Sequence, residues 1–211
     1  AEIHSRFGIA AEIIYSGIPA EALEAQAQAQ DTPASDIVVS GSLYDAESVT
    51  FLVAGLDLWL KNRANGTRPR LRYFGTDGKR IRQAVVGLDQ SCEIDIQGYR
   101  PLPELFEALR NSRANLYVRS PKTLFHHKLI ELLSCGRPVL TIHQESEEAR
   151  RIAAEFGGKL SGCMNSDQLA RQLDAAWRSV EFTPPNQKAM SRYTWDAQAE
   201  VLEQALERVI S

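Results

Sequence analysis

The chain has 211 residues, of which 44% are apolar and 24% charged, the composition of an ordinary soluble globular protein. This length is sufficient for one large α/β domain with appendages. Its net charge of −3 speaks against a nucleic-acid-binding protein, because contact with the phosphate backbone usually needs a basic surface. No apolar run reaches the length of a transmembrane helix, and the first residues lack the pattern of an export signal.

The cysteines argue against two further classes of protein. Cys92, Cys135 and Cys163 are odd in number and far apart, and no C-x-x-C pair occurs. This pattern fits neither a disulfide framework nor a zinc site, and buried thiols in a reducing compartment are the simpler interpretation. We therefore predict a cytoplasmic globular protein without a metal site or other cofactor.

The first 35 residues are predicted to be a connecting segment and not part of a hydrophobic core. Residues 12–15 are a candidate strand that ends at the Gly17-Ile18-Pro19 turn. Residues 20–35 are low in complexity and show no apolar period, which predicts a short helix or a linker closed by Pro33.

From Asp36 onward, short apolar runs alternate with helical patterns. The predicted strands cover residues 37–39, 70–74, 93–97, 116–119 and 139–142. The predicted helices direct apolar residues inward at helical spacing, among them Val49, Leu52, Val53, Leu56, Leu60, Ile81, Val85, Leu88, Leu102, Leu105, Phe106 and Leu109. A further helix ends at Gly157-Gly158, and Ser166-Asp167 caps the next one. This alternation predicts a doubly wound, Rossmann-like parallel sheet of about six strands, covered on both faces.

The last part of the chain is predicted to be an appended helix. Pro184-Pro185 interrupts the pattern, and an amphipathic segment follows. Its apolar positions have 4-3-4-3 spacing and comprise Trp195, Ala199, Leu202, Leu206 and Val209. Trp195 is expected in the core. The predicted division is thus 1–35, 36–180 and 181–211.

Residues 117–140, YVRSPKTLFHHKLIELLSCGRPVL, are the most informative stretch. They predict a strand, a polar loop, a helix, a glycine turn and another strand, which is one crossover of a parallel sheet. The polar loop falls at the carboxyl end of a strand, where open α/β sheets bind ligands. Lys128 and Glu131 share one helix face there, a cation beside a hydrogen-bond acceptor, which would suit a phosphate and a diol. An ordinary ion pair is the alternative.

Two other features bear on the kind of ligand. His126 and His127 are neighbours, and adjacent helical residues point about 100° apart, so they cannot share a metal ion. We expect one of them to face the cleft and the other to pack. The loop that begins at Gly41 has neither the G-x-G-x-x-G spacing nor a P-loop lysine, which argues against dehydrogenases and P-loop ATPases. Amides at a helix start there could still attract a diphosphate.

The stretch that contains Lys128 and Glu131 resembles the C-terminal, donor-nucleotide-binding domain of GT-B glycosyltransferases, specifically the retaining group 1 (family 4-like) members. The family pattern K-x-x-E-x-x-x-x-G-x-P-V is matched by Lys128, Glu131, Gly136, Pro138 and Val139. Four other segments agree in the family's order: the glycine loop at 41–43, the second strand with its glycine at 72–77, the base-contacting segment at 96–101 and the aromatic-x-Trp helix start at 193–195. The resemblance covers most of residues 36–211.

The resemblance implies a binding site for the nucleoside diphosphate sugar donor. Its expected residues are Gly41, Ser42, Gly75, Tyr99, Arg100, Ser120, Thr123, Phe125, Lys128, Leu129 and Glu131. In this family Glu131 would accept from ribose hydroxyls, while Tyr99 and Arg100 would stack on the base. The same residues allow a loop whose aromatic side chain only covers the end of the sheet.

The resemblance also implies an activity and a missing partner. The family transfers a sugar, with retention, to a glycan or glycoconjugate acceptor, as in polysaccharide synthesis. Residues 1–35 would be an interdomain segment that follows an N-terminal acceptor domain, and the chain alone would be inactive. No catalytic residue is assigned. The longer protein could associate peripherally with the inner face of the membrane. Without the acceptor domain, apolar surface should be exposed around residues 1–20 and 184–211.

Three departures from the family pattern leave a second function open. The first glutamate of the family signature would fall at Thr123, and positions that are usually basic fall at Ser42 and Glu47. If the alignment is right, Thr123 lies in the loop before the helix and faces the cleft. The alternative is a non-catalytic, glycosyltransferase-like interaction module with a degenerate donor site. A flavodoxin-type binding protein is a third possibility, but it does not explain the pattern around Lys128 and Glu131.

Overall fold

In the computed structural model of the chain, six parallel strands form one sheet. The structure describes residues 12–20, 35–63, 66–88, 90–120, 122–123, 125–179 and 182–210, so the helix or linker predicted at 20–35 lies almost wholly outside the described residues. The strands are β1 (Asp36–Ser40), β2 (Arg70–Phe74), β3 (Glu93–Gln97), β4 (Ala114–Val118), β5 (Val139–Ile142) and β6 (Leu160–Cys163). Their order is β3-β2-β1-β4-β5-β6. The predicted fold class is confirmed.

The helices follow the strands as the apolar pattern predicts. They are α1 (Ala46–Asn62), α2 (Gly78–Ala84), α3 (Leu102–Arg110), α4 (Lys128–Leu133), α5 (Glu147–Phe156), α6 (Ser166–Arg178), α7 (Gln187–Ser191) and α8 (Trp195–Ile210). Asp45 and Ser146 cap α1 and α5 with their side chains, and Gly157 ends α5 in the left-handed conformation. The cap of α6 is Asn165, whose side chain accepts from the Gln168 amide, one residue before the predicted Ser166.

Two cores cover the two faces of the sheet. Neighbouring residues of β1 belong to different cores, with Ile37 and Val39 in the first and Val38 in the second. Helices α1, α2 and α6 contribute to the first core, and α3, α4, α5 and α7 to the second. Helices α1 and α6 pack closely at Gly55, where a Cβ would lie 2.5 Å from Leu169 Cδ2.

The structure corrects four details of the predicted elements. Residues 12–17 form no strand; only Ile18 pairs, in a single bridge to Thr194. Strand β6 was not located from sequence, because its Leu-Ser-Gly-Cys segment is short, small and only partly buried at the sheet edge. Leu102 is 38% exposed because it opens the first turn of α3, and Trp195 is 53% exposed rather than part of the core.

The strand order places a topological switch point between β1 and β4. The chain runs outward from β1 through β2 to β3, then returns to β4 on the other side of β1. The loops that follow β1 and β4 therefore lead to helices on opposite faces of the sheet. Between such loops, at the carboxyl end of the strands, open α/β sheets form a crevice. We call this place the switch-point crevice.

Candidate functional site

On the β1 side of the crevice, the chain turns through a glycine loop that contacts the loop after β2. Gly41 has a left-handed φ of 97°, and its amide donates to the Phe74 carbonyl at 2.9 Å. Its carbonyl accepts from the Tyr73 hydroxyl at 2.8 Å. A Cβ on Gly75 would lie 2.4 Å from the Gly41 oxygen. The backbones of Gly41 and Gly75 thus lie in close contact, and a side chain at position 75 would overlap the Gly41 carbonyl.

The same loop is fixed further by α2. The Leu43 amide donates to Asp77 Oδ2 at 2.9 Å, and the Arg80 guanidinium donates to the Leu43 carbonyl. The Leu43 amide is therefore used within the fold and does not face a ligand. Ser42 is exposed beside it, and Glu47 is exposed in the first turn of α1. These hydrogen bonds tie the loop to α2 and its cap, and Ser42 and the start of α1 lie at the carboxyl end of the central strand β1.

On the β4 side, a buried histidine closes the loop. His126 is 8% exposed, and its Nε2 accepts from the Ser120 amide at 2.9 Å. Its ring lies 5.6 Å from that of Tyr44, which precedes α1, and 5.8 Å from that of Tyr117 on β4. Burial lowers the pKa of His126, and His127 and Arg119 lower it further. His127 is exposed, so the two imidazoles point apart as expected.

Thr123 lies in the loop between β4 and α4 and is exposed. Its Oγ1 donates to the Ser120 carbonyl at 3.3 Å, and its own carbonyl accepts from Arg119 Nη2 at 3.3 Å. This position agrees with the loop placement predicted for it. Phe125 is directed differently, because its ring packs edge-on against Tyr15 at 5.4 Å.

Lys128 and Glu131 share one face of α4, as their spacing predicts, and they form an ion pair. Nζ lies 2.6 Å from Oε2, and the side chains are 19% and 16% exposed. One oxygen of Glu131 is thus used by Lys128, while a carboxylate can accept on both oxygens. Leu129 differs, since its side chain is fully buried and its amide donates to the His126 carbonyl at 3.0 Å. Neither its side chain nor its amide is therefore available for the predicted contact with the donor.

Tyr99 and Arg100 lie apart from the crevice. They follow β3, two strands away from β1, and Tyr99 is 84% exposed. Arg100 borders a cavity of about 460 Å³ that runs along the sheet between β2, β3 and α3. The cavity's arginines are paired with acids, Arg70 with Asp36 at 2.8 Å for example. The structure therefore does not bring the predicted base-stacking residues to the other predicted site residues.

Sequence reasoning missed a buried carboxylate beside the crevice. Glu145 is 4% exposed and follows β5. Its Oε1 accepts from the Tyr117 hydroxyl at 2.5 Å, and its Oε2 lies 3.5 Å from Arg119 Nε. Burial raises the pKa of Tyr117 well above its ordinary value, and the Glu145 charge adds to this effect. Tyr117 and Arg119 are far from Glu145 in the sequence, so no local pattern predicts their contacts.

A second missed contact fastens β5 to α1. His143 has a φ of 75°, in the left-handed region, and its Nε2 lies 2.9 Å from Ser48 Oγ. Ser48 is fully buried and also donates to the Asp45 carboxylate at 2.9 Å. The Ser48 amide lowers the pKa of Asp45. Because Ser48 is enclosed, the arrangement holds the loop in place and presents no nucleophile to a substrate.

The described residues contain neither a candidate metal site nor a candidate membrane-spanning helix. No group of three or more histidine, cysteine, aspartate or glutamate side chains lies close enough to hold a metal ion in this part of the chain. Among the helices that the structure describes, none is both long and apolar enough to cross a membrane.

Comparison with known proteins identifies the fold. No family model and no curated protein matches the sequence. Among solved structures, HepE of Anabaena, in complex with UDP and glucose, has a TM-score of 0.61 at 15% identity over 94% of this chain and 56% of its own. A glycosyltransferase of Rickettsia africae has a TM-score of 0.64 at 15% identity over 92% of this chain and 53% of its own.

The same fold occurs in another class of enzyme. A putative UDP-N-acetylglucosamine 2-epimerase of Listeria monocytogenes has a TM-score of 0.53 at 16% identity, over 84% of this chain and 44% of its own. The chain spans about half the length of these structures. It therefore has the Rossmann-like α/β fold found in one half of GT-B glycosyltransferases, and this likeness concerns the fold alone.

Proposed function

We propose that the chain is the donor-binding half of a GT-B glycosyltransferase and binds a nucleoside diphosphate sugar in the switch-point crevice. The observation that carries this proposal is the placement of Ser42, His126 and the Lys128–Glu131 pair on the loops and helix that follow β1 and β4. The UDP complexes of HepE, which has the same fold, support this class of ligand.

The crevice offers chemistry suited to such a ligand. The start of the 17-residue helix α1 lies beside Ser42, and helix N-termini favour anions such as a diphosphate. Glu131 would accept from the ribose hydroxyls with the oxygen that Lys128 does not hold. Lys128 would remain paired and neutralise the carboxylate, so the ligand would meet little net negative charge there.

In the complete enzyme, the sugar would pass with retention to a glycan or glycoconjugate acceptor, in the cytoplasm or at the inner face of the membrane. The acceptor site and the acid–base groups would belong to an N-terminal domain, which the interdomain segment at 1–35 would follow. No residue of this chain is assigned a catalytic role, and the chain alone is expected to be inactive.

One set of observations favours a second candidate, the non-catalytic interaction module. Ser42 and Glu47 stand where the family is usually basic, and Thr123 stands in place of the first glutamate. Glu131 is already held by Lys128 at 2.6 Å. A chain of this kind would keep the fold and bind no donor.

Calorimetric titration with UDP, GDP and ADP separates the two candidates. We expect weak binding of one of them, because half of a two-domain cleft is missing and two positions lack the usual basic residue. No heat with any of the three at millimolar concentration would favour the interaction module.

Substitution of Glu131 then locates the site. Glu131→Ala should weaken binding by about 1–3 kcal/mol, because it leaves ribose hydroxyls unpaired. Asp57→Ala is the matched control, since Asp57 also pairs with a lysine at 2.6 Å, on α1, and it should leave affinity unchanged. Unchanged affinity in folded Glu131→Ala would remove Glu131 from the site.

A further inference from the structure

His126 has one ring nitrogen committed to the fold. Its Nε2 lies 2.9 Å from the Ser120 amide nitrogen, and a backbone amide can only donate. Nε2 is therefore the acceptor, and in a neutral imidazole the other nitrogen then carries the proton. The hydrogen bond to Ser120 thus fixes the tautomer with a proton on Nδ1.

The Nδ1–H group has no acceptor among the described residues, although His126 is 8% exposed. The described part of the fold thus leaves the Nδ1–H donor of this buried ring unused. The ring lies between Tyr44, which precedes α1, and Tyr117 on β4. A donor is therefore presented between the two loops that border the switch-point crevice.

The charges around the ring favour an anionic acceptor. Burial lowers the pKa of His126, and the positive charges of His127 and Arg119 nearby lower it further. The nearby acid, Glu145, already interacts with the Tyr117 hydroxyl and Arg119. Helix α1 begins at Ala46, two residues after Tyr44, and its first turn adds positive potential, although the Asp45 carboxylate already accepts from the Ser48 amide. The Nδ1–H donor of His126 is therefore best matched by a negatively charged ligand group with oxygen acceptors.

We propose that His126 is a binding residue that donates a hydrogen bond from Nδ1 to a diphosphate oxygen of the nucleotide ligand. This proposal rests on the nucleotide-binding function proposed above and gives His126 a specific role within that site. The imidazole acts as a neutral donor. If Nε2 were protonated, its N–H would face the N–H of Ser120 and their hydrogen bond would be lost. The neutral ring therefore stabilises the loop and binds the ligand more tightly than the charged ring.

Two substitutions separate the roles of the two nitrogens. His126→Gln places an amide oxygen near the position of Nε2, so it can keep the Ser120 bond while it removes the Nδ1 donor. His126→Asn places its amide near Nδ1, so it can keep the donor while it removes the Ser120 bond. Binding of UDP and of uridine to the wild-type chain and to both variants is measured by calorimetry, with circular dichroism to check folding.

The expected result is specific for the phosphates. His126→Gln should weaken UDP binding by about 10- to 100-fold, the range for a lost hydrogen bond to a charged group, and leave uridine binding unchanged. His126→Asn should weaken UDP binding less. Equal UDP affinity in wild type and a folded His126→Gln variant would overturn the proposal, as would equal losses for UDP and uridine.

Nitrogen-15 NMR of the wild-type imidazole gives a second readout that needs no variant. The spectra should show the Nδ1–H tautomer without ligand, and UDP should shift the Nδ1 proton downfield. An Nε2–H tautomer, or an Nδ1 signal that saturating UDP leaves unmoved, would overturn the role of His126. If the wild type binds none of UDP, GDP and ADP, the proposed function itself fails, and this inference fails with it.

Discussion

At the carboxyl end of the sheet, buried polar side chains satisfy one another across different elements. Tyr117 and Arg119 hold Glu145, and Ser48 joins Asp45 to His143. A buried carboxylate or imidazole without partners would be costly, so these contacts determine which side chains remain for a ligand. His126 differs, because only one of its two nitrogens has a partner in the described residues.

The lowered pKa of His126 predicts a pH dependence of stability. In the unfolded chain the imidazole takes a proton near pH ~6.5, whereas in the folded chain burial, His127 and Arg119 shift protonation to lower pH. Between these two pKa values the unfolded state binds more protons, so stability falls as the pH falls through this window. Above about pH 6.5 the contribution of His126 is complete.

Urea unfolding of the wild type and His126→Gln from neutral to mildly acidic pH tests this expectation. Glutamine does not titrate, so the wild type should lose more stability than the variant over the window. The other groups near the ring, Tyr44, Tyr117, Arg119 and His127, remain in both proteins and cancel in the difference. Parallel stability curves would show that His126 titrates alike in the folded and unfolded chains.

At the scale of single residues, the sequence predicted which side chains share a helix face better than it predicted their contacts with distant elements. The shared face of Lys128 and Glu131 follows from helical spacing and was confirmed. The buried positions of Glu145 and His143 could not be predicted, because their partners lie on other strands and helices. Tyr99 and Arg100 remain predicted donor contacts, although they lie two strands from β1.

At the scale of the elements, the turn between α4 and β5 requires glycine both for its backbone conformation and for space. Gly136 has a φ of 69°, and a Cβ there would lie 2.5 Å from Phe182 Cε2 and 2.8 Å from the Thr183 oxygen. Gly157 has nearly the same φ, 71°, but a Cβ there would meet nothing within 4 Å. An alanine at position 157 would therefore suffer backbone strain alone, whereas an alanine at position 136 would suffer the same strain and steric overlap.

We expect Gly157→Ala to cost about 1 kcal/mol, the strain of a left-handed alanine. Gly136→Ala should cost about 3 kcal/mol, because overpacking against Phe182 and the Thr183 backbone adds to the same strain. Urea unfolding of both variants gives the two free energies of unfolding. Equal losses would mean that the segment after α6 moves aside at no cost.

The order of elements was largely predictable because apolar periods differ between strands and helices. The strands at 70–74, 93–97 and 139–142 were placed at their observed bounds. Strand β6 escaped because Ser161 and Gly162 give it little apolar signal and it pairs only with β5. The candidate strand at 12–15 failed because an extended apolar segment needs a neighbouring strand, and only Ile18 has one.

For the molecule as a whole, α8 stands out among the helices of nine or more residues that the structure describes, because it has the fewest buried residues. Only Gln198 of this helix is buried, while the apolar stripe is exposed, with Trp195 at 53%, Leu202 at 44%, Leu206 at 53% and Val209 at 84%. The core position predicted for Trp195 is therefore wrong. The exposed apolar surface expected near both termini is present, since Ile13 is 58% exposed as well.

Polar contacts, rather than an apolar interface, attach α8 to the rest of the chain. Gln198 accepts from the Tyr15 amide at 2.6 Å and donates to the Arg192 carbonyl at 2.6 Å. Arg208 pairs with Glu12 at 2.8 Å, where both side chains are about half exposed or more, and such surface pairs contribute little stability. An apolar surface of this kind commonly marks an interaction site, and the N-terminal acceptor domain is the partner that we propose.

Hydrogen exchange tests whether α8 is integral to this domain. Local opening costs little where few apolar contacts are lost, so the amides of α8 should exchange well before those of β1. Helix α6 is the control of similar length, because Leu169 and Leu173 on it are buried in the core shared with α1, and it should be protected nearly as well as β1. Protection of α8 equal to that of β1, in a chain shown to be monomeric by light scattering, would mean that α8 needs no partner. The proposed contact with an N-terminal domain would then lose its structural support.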